Sequence, residues 1–182
     1  MRRLSVALLL SLAACTEKPY NPGILYQAES PNCDRWVDGS RFELPQEISV
    51  FASVPALAPD GNLELGMAYF VPEGVSTTFA TQTFEITLPH GKSVAQGETK
   101  AVDRHLKNST KSPEPLPALP KTLVGEAGGD ETMYRFKVVL TPPLPDRFDF
   151  QPPDMVVGEK SFHVRTYTYR YFKERNQIGL CS

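Results

Sequence analysis

In ETMYRFKVVLT, residues 131–141, apolar and polar side chains alternate. Thr132, Tyr134, Phe136, Val138 and Leu140 point one way, and Glu131, Arg135 and Lys137 point the other. A period of two with one polar side is the pattern of a half-buried antiparallel strand. A helix would bring its apolar side chains back every 3.6 residues instead. Residues 63–71 repeat the pattern, with Leu63, Leu65, Met67, Tyr69 and Val71 on one side. Residues 46–54 place Ile48, Val50, Ala52 and Val54 opposite Glu47, Ser49 and Ser53. Between these two runs stands Pro59-Asp60-Gly61-Asn62, and Asp-Gly is a strong hairpin signal because Gly tolerates positive φ.

The neighbouring segments are less regular. Residues 77–88 are rich in Thr and Phe and therefore strand-prone. Their parity flips, with Phe79 on odd positions and Phe84, Ile86 and Leu88 on even ones. A flip reverses the buried side, so a bulge or bend is expected near residues 81–83. Residues 162–173 read as the last strand. The chain holds 17 prolines, which interrupt any helical pattern. SPEPLPALP, residues 112–120, reads as an extended polyproline-like loop, and residues 125–130 (GEAGGD) as a flexible turn. The best helix candidate, residues 99–106, is short. Many short strands with turns between them predict an all-β fold: one antiparallel β-sandwich or open barrel with little helix.

The N-terminus obeys different rules. Arg2 and Arg3 precede a short run of Leu, Val, Ala and Ser, the layout of a secretory signal. The run is too short to cross a bilayer as a helix, which takes about 20 residues. It ends in Leu12-Ala13-Ala14-Cys15, and this resembles the lipobox of bacterial lipoproteins at all four positions. The resemblance covers the first 15 residues only. It implies removal of residues 1–14 and a diacylglyceryl group on the thiol of Cys15, which becomes the mature N-terminus and carries further acyl chains such as palmitate. Thr16 rather than Asp follows the cysteine, which resembles cargo sorted to the outer membrane in enterobacteria. The alternative is an ordinary buried cysteine in an N-terminal helix. Residues 16–23 (TEKPYNPG) then form a tether reaching at most about 28 Å, and residues 24–182 form the β domain.

Removing the signal leaves 168 of the 182 residues, with 17 basic and 21 acidic side chains and a net charge of −4. The basic residues are scattered, which argues against a nucleic-acid surface. With Cys15 acylated, Cys33 and Cys181 remain, and an even pair in an oxidising compartment favours a disulfide. Two separate buried thiols are the alternative. The bridge would close a loop of roughly 149 residues, worth about 5 kcal/mol at most in the chain-entropy view.

Catalytic signals are missing from the sequence. His90, His105 and His163 have no partner at metal-ligand spacing, so no metal or cofactor is expected. Ser93 follows Gly91-Lys92, but Thr87 stands where a phosphate loop needs its first Gly. TYTYRYF, residues 166–172, places Tyr167, Tyr169 and Tyr171 on one side with His163 and Arg165. One reading is an exposed aromatic and basic stripe for a protein partner, since Tyr and Arg are enriched at interaction hot spots. The other is that the rings are core and their hydroxyls reach the rim. The Pro-rich loop is either a second contact surface or a solvated connector.

The expected role is a non-enzymatic interaction or scaffold module, lipid-anchored in the bacterial envelope at the outer membrane and facing the periplasm. An immunity protein that neutralises a toxin delivered to the periplasm is the first alternative. A small ligand-binding or hydrolytic envelope protein is the second.

Overall fold

Leu63, Leu65, Met67, Tyr69 and Val71 are buried, and the residues between them are half-exposed. Thr132, Tyr134, Phe136 and Val138 one strand away are buried likewise, with Met133 and Lys137 half-exposed and Arg135 exposed between them. A computed structural model of the chain pairs these two segments as its longest strands, β5 (Leu63–Pro72) and β12 (Glu131–Leu140). They run antiparallel in unbroken register from Leu63 opposite Leu140 to Pro72 opposite Glu131. Because parity alternates, the register puts the two apolar sets on one side of the sheet. The structure describes residues 25–29, 41–53, 55–88, 94–96, 98–108, 110 and 112–172.

The β5–β12 pair is the centre of a seven-stranded antiparallel sheet. Beyond β12 lie β9 (Glu98–Leu106) and the two-residue β10 (Glu114–Pro115). On the other flank lie β3 (Ser49–Ala52), then β2 (Arg41–Glu43). The short β4 (Ala56–Leu57) also pairs with β5 and enters it through the expected Asp60-Gly61 turn. In that turn Gly61 has φ +84°, and Asp60 accepts hydrogen bonds from the backbone and side chain of Asn62. A 3-10 turn, Pro45–Glu47, precedes β3.

Two smaller antiparallel sheets cover the apolar side. One is five-stranded: β1 (Leu25–Glu29), β16 (Tyr167–Phe172), β13 (Arg147–Gln151), β7 (Glu85–Thr87) and β8 (Val94–Gln96). The other is four-stranded: β11 (Thr122–Val124), β6 (Ser76–Phe79), β14 (Met155–Val157) and β15 (Lys160–Phe162). One contiguous core joins all three sheets. Tyr69 of the large sheet meets Phe79 of the four-stranded sheet edge to face at 5.2 Å. Within the five-stranded sheet, Phe148 tilts against Tyr169 at 5.3 Å, and Phe150 stacks on nearby Phe84 at 5.8 Å. Such aromatic pairs add to plain area burial. The molecule is thus an all-β antiparallel fold with little helix, of the sandwich or open-barrel class that its short alternating strands predict.

Two local expectations need correction, and two are refined. Residues 99–106 are strand β9, not helix. Pairing along β12 decides this, since local propensity yields to tertiary context. The register shifts between Arg135 and Phe136, and β9 carries one extra residue there. The parity flip in residues 77–88 is the expected bend, at residues 80–82, and not a bulge within one strand. The chain leaves the four-stranded sheet after Phe79 and enters the five-stranded sheet at Glu85, so Phe79, Phe84 and Ile86 are all buried despite their mixed parity. Residues 162–173 are not one strand either: β15 and β16 belong to different sheets, with residues 163–166 crossing between them. The Pro-rich loop pairs Glu114 and Pro115 with Arg104 and Asp103, and its Leu116 and Leu119 lean on the core.

Two contacts weld the large sheet to its cover. Gly125 follows β11 and packs against the carbonyl of Pro72, where a Cβ would collide with backbone. Its N–H donates to the Val75 carbonyl at 2.8 Å, and its own carbonyl accepts from the Gly74 N–H at 3.0 Å. Tyr134 reaches across from β12. Its hydroxyl donates to the Val124 carbonyl at 2.8 Å and accepts from the Val124 N–H at 3.1 Å. Tyr69 contrasts with it, since its buried hydroxyl has no hydrogen-bond partner among the described residues. Tyr134→Phe therefore strands two backbone groups and is expected to cost about 1–3 kcal/mol. Tyr69→Phe removes an unsatisfied hydroxyl and is expected to be neutral or stabilising. Urea denaturation of both variants checks the contrast.

Candidate functional site

A sheet with one side in the core turns its other side outward, and on the large sheet that side is not uniformly polar. Register places Phe51, Ala68 and Arg135 side by side across β3, β5 and β12. Phe70 and Met133 form the next row. These residues surround an open trough of about 340 Å³, lined by Phe51, Ser53, Gly66, Ala68, Phe70, Met133, Arg135 and Lys137, and bordered also by Met67 and Phe136 of the core parity. Its floor is low because β5 carries two small residues there. Gly66 has a packing reason: a Cβ would collide with the Ser53 hydroxyl, which donates to the Gly66 carbonyl at 3.2 Å. The walls are Phe51, Phe70 and Met133, all half-buried. Unlike the core side, this side keeps its charges in pairs. Arg135 makes a forked contact with Asp103, its Nε donating to Oδ1 at 2.7 Å, and Lys137 Nζ donates to Glu64 at 2.7 Å. The Asp103 carboxylate pushes the Arg135 guanidinium above its ordinary value.

A second, polar hollow of about 280 Å³ lies where chain segments pass between the two covering sheets. Thr81, Thr83, Glu85, Gln151, Asp154 and His163 line it with Pro152 and Pro153. His163 Nδ1 lies 2.9 Å from Asp154 Oδ1, and both side chains are exposed, at 67% and 42%. Gln151 ties the hollow down by donating to the carbonyls of Pro152 and Val164, each at 2.8 Å. Among the described residues, no three His, Cys, Asp or Glu side chains come together to hold a metal ion.

The tyrosine strand falls elsewhere than an exposed stripe. Tyr167 and Tyr169 are core residues, 2% and 1% exposed. Tyr171 is half-buried against the same core. Arg165 precedes the strand and lies over the Tyr167 ring at 5.8 Å from its centroid. The exposed stripe is therefore corrected: the rings fill the interior, as in the other reading, but the Tyr167 hydroxyl is buried with its ring rather than reaching the rim. The reason is the five-stranded sheet, whose inner side needs bulk that Phe148 and Phe150 alone do not supply. His163 sits in the crossing before β16 and shares no strand face with the tyrosines. Cys15, Cys33, Cys181, His90 and Ser93 lie outside the described residues.

The trough was missed in the sequence for an identifiable reason. Phe51 and Met133 stand on the polar parity of two alternating strands. Phe51 is the lone exception in its segment and Met133 is one of two in its own, with Val139, and they become neighbours only once β3, β5 and β12 align. No protein-family model matches the chain, and no curated protein matches it.

The buried phenols supply a pH test. Burial pushes Tyr167 up to about 12, partly offset by the positive charge of Arg165. Burial, with Tyr167 nearby, also raises Tyr69 and Tyr169. A phenol raised in the folded state stays protonated there while the unfolded chain ionises near 10. Its contribution is complete below pH 10 and is lost as pH rises from about 10 toward 12. Melting temperature is expected to fall steeply over that interval, with late tyrosinate absorbance appearing together with unfolding rather than before it.

Proposed function

We propose that this chain is a lipid-anchored envelope protein of bacteria that works as a non-catalytic protein-docking module. The docking surface is the outer side of its seven-stranded sheet. The observation that carries the reading is the apolar trough over Ala68, set opposite the core on a side where water would be expected to meet only polar residues. Large side chains on such a side leave apolar area uncovered, and a partner gains by covering it. Burying one Phe or Leu side chain there is worth about 1.5–3 kcal/mol, so the trough suits an anchor residue within a larger contact. The rigid centre of the sheet supports this use, because a preformed site costs little to order on binding.

The envelope location rests on Leu12-Ala13-Ala14-Cys15. More than one acyl chain gives stable membrane attachment, at about 0.8 kcal/mol per buried CH₂. Cys15→Ser is expected to move the protein from the membrane fraction to the soluble fraction, or to leave it as an uncleaved precursor without label from radioactive palmitate. Palmitate label retained by that variant would disprove lipidation at Cys15.

Docking is tested in intact cells with a photo-crosslinking phenylalanine analogue placed at Met133. A discrete adduct is expected there. None is expected with the analogue at Glu159, which lies exposed in the β14–β15 turn of a covering sheet. Ala68→Glu, which fills the trough with charge, is expected to abolish the Met133 adduct while leaving the protein folded. Equal adducts from both positions, or none from Met133, would overturn the docking role of this surface.

A further inference from the structure

The trough has a sign as well as a shape. Arg135 and Lys137 line it, and no acidic side chain does among the described residues. Both cations are paired, yet their carboxylates sit deeper. The Arg135 side chain is 45% exposed against 11% for Asp103. Lys137 is 45% exposed against 30% for Glu64. Register explains the arrangement. Asp103 is directly opposite Arg135 on β9, while Glu64 lies diagonally from Lys137 on β5, whose direct neighbour is Gly66. Each acid therefore holds its cation from the side, and both cations stay at the rim of the trough.

The pairs also leave hydrogen-bonding capacity. Asp103 engages two of the five N–H donors that a guanidinium carries, and Glu64 engages one of the three on Lys137. A carboxylate arriving from solvent can add to Arg135 without displacing Asp103. An arriving ammonium meets the more exposed cations before their carboxylates. The local sign opposes that of the whole chain, whose mature charge is −4. Selection by charge must therefore act at short range, within a Debye length of about 8 Å at physiological salt.

Resting on the docking surface proposed above, we infer that the occupant is an extended acidic-aromatic segment of a partner protein. One large apolar side chain sits over Ala68 between Phe51 and Met133. Carboxylates on its flanks meet Arg135 and Lys137. The apolar anchor supplies affinity, and the flanking charge excludes basic segments of similar hydrophobicity.

Three acetylated, amidated peptides share a core and differ in flanking charge: EEFLFEE, QQFLFQQ and KKFLFKK. They are titrated into the full chain, with phosphatidylcholine nanodiscs present and methionine methyls labelled with carbon-13. The Met133 methyl signal is expected to move with the glutamate peptide at a Kd at least about tenfold below that of the lysine peptide, with the glutamine peptide between. In the Arg135→Gln, Lys137→Gln protein the three peptides are expected to bind alike. The other methyl signals show that this variant is folded. Binding of all three with equal strength by the unmodified protein would overturn the acidic occupant and leave the docking surface standing. A Met133 signal that none of them moves would overturn both.

Discussion

The ladder between β5 and β12 is the constraint on which the rest of the molecule depends. Ten residue pairs in unbroken register give the large sheet two sides of opposite character. One side demands cover and receives two smaller sheets, whose Phe79, Phe148, Phe150, Tyr167 and Tyr169 fill the core. A slip of one residue would send Leu65, Tyr69, Phe136 and Val138 into water and bring Glu64, Arg135 and Lys137 inside. No local adjustment could compensate for that exchange. Strand register is therefore specified by burial far more than by any turn.

The same ladder builds the candidate docking surface. Its outer rows place Ala68 beside Arg135 and Phe70 beside Met133, while β3 brings Phe51 against Ala68. Neither the trough nor its cationic rim needs a loop to form. The surface inherits the rigidity of the central strands, which distinguishes it from the His163–Asp154 hollow, formed by crossing segments between sheets. A binding surface on the scaffold itself loses little entropy when a partner arrives. Its paired charges serve two ends, joining β12 to β5 and β9 and setting the sign of the rim.

The tyrosine strand shows how composition misleads about exposure. Tyr167, Tyr169 and Tyr171 alternate with polar residues, as an interaction stripe would. A phenol is amphipathic, however, and the same alternation serves a core strand whose rings go in. Which applies depends on what lies opposite, and a single strand carries no record of its opposite layer. The segments 77–88 and 162–173 fail in the same way. Each holds strand-forming residues throughout, and each is divided between two sheets. Periodicity reports which side chains share a side of one strand but not where the chain changes sheet.

Alternation in residues 63–71 and 131–141, with the other short strands and turns, was enough to determine the fold class and the inward residues of the two central strands, because a buried side of a strand is mostly apolar at every second position. The Asp60-Gly61 turn was legible for the same local reason: positive φ favours glycine. Strand β9 was not, since its residues suit a helix as well and only the vacant edge of β12 makes it a strand. The trough depended wholly on tertiary structure. Phe51, Ala68, Met133, Arg135 and Lys137 come from three segments, and a shared surface exists only after hydrogen bonding sets those segments side by side. Side-chain parity is a property of one strand, whereas a site is a property of the register between strands.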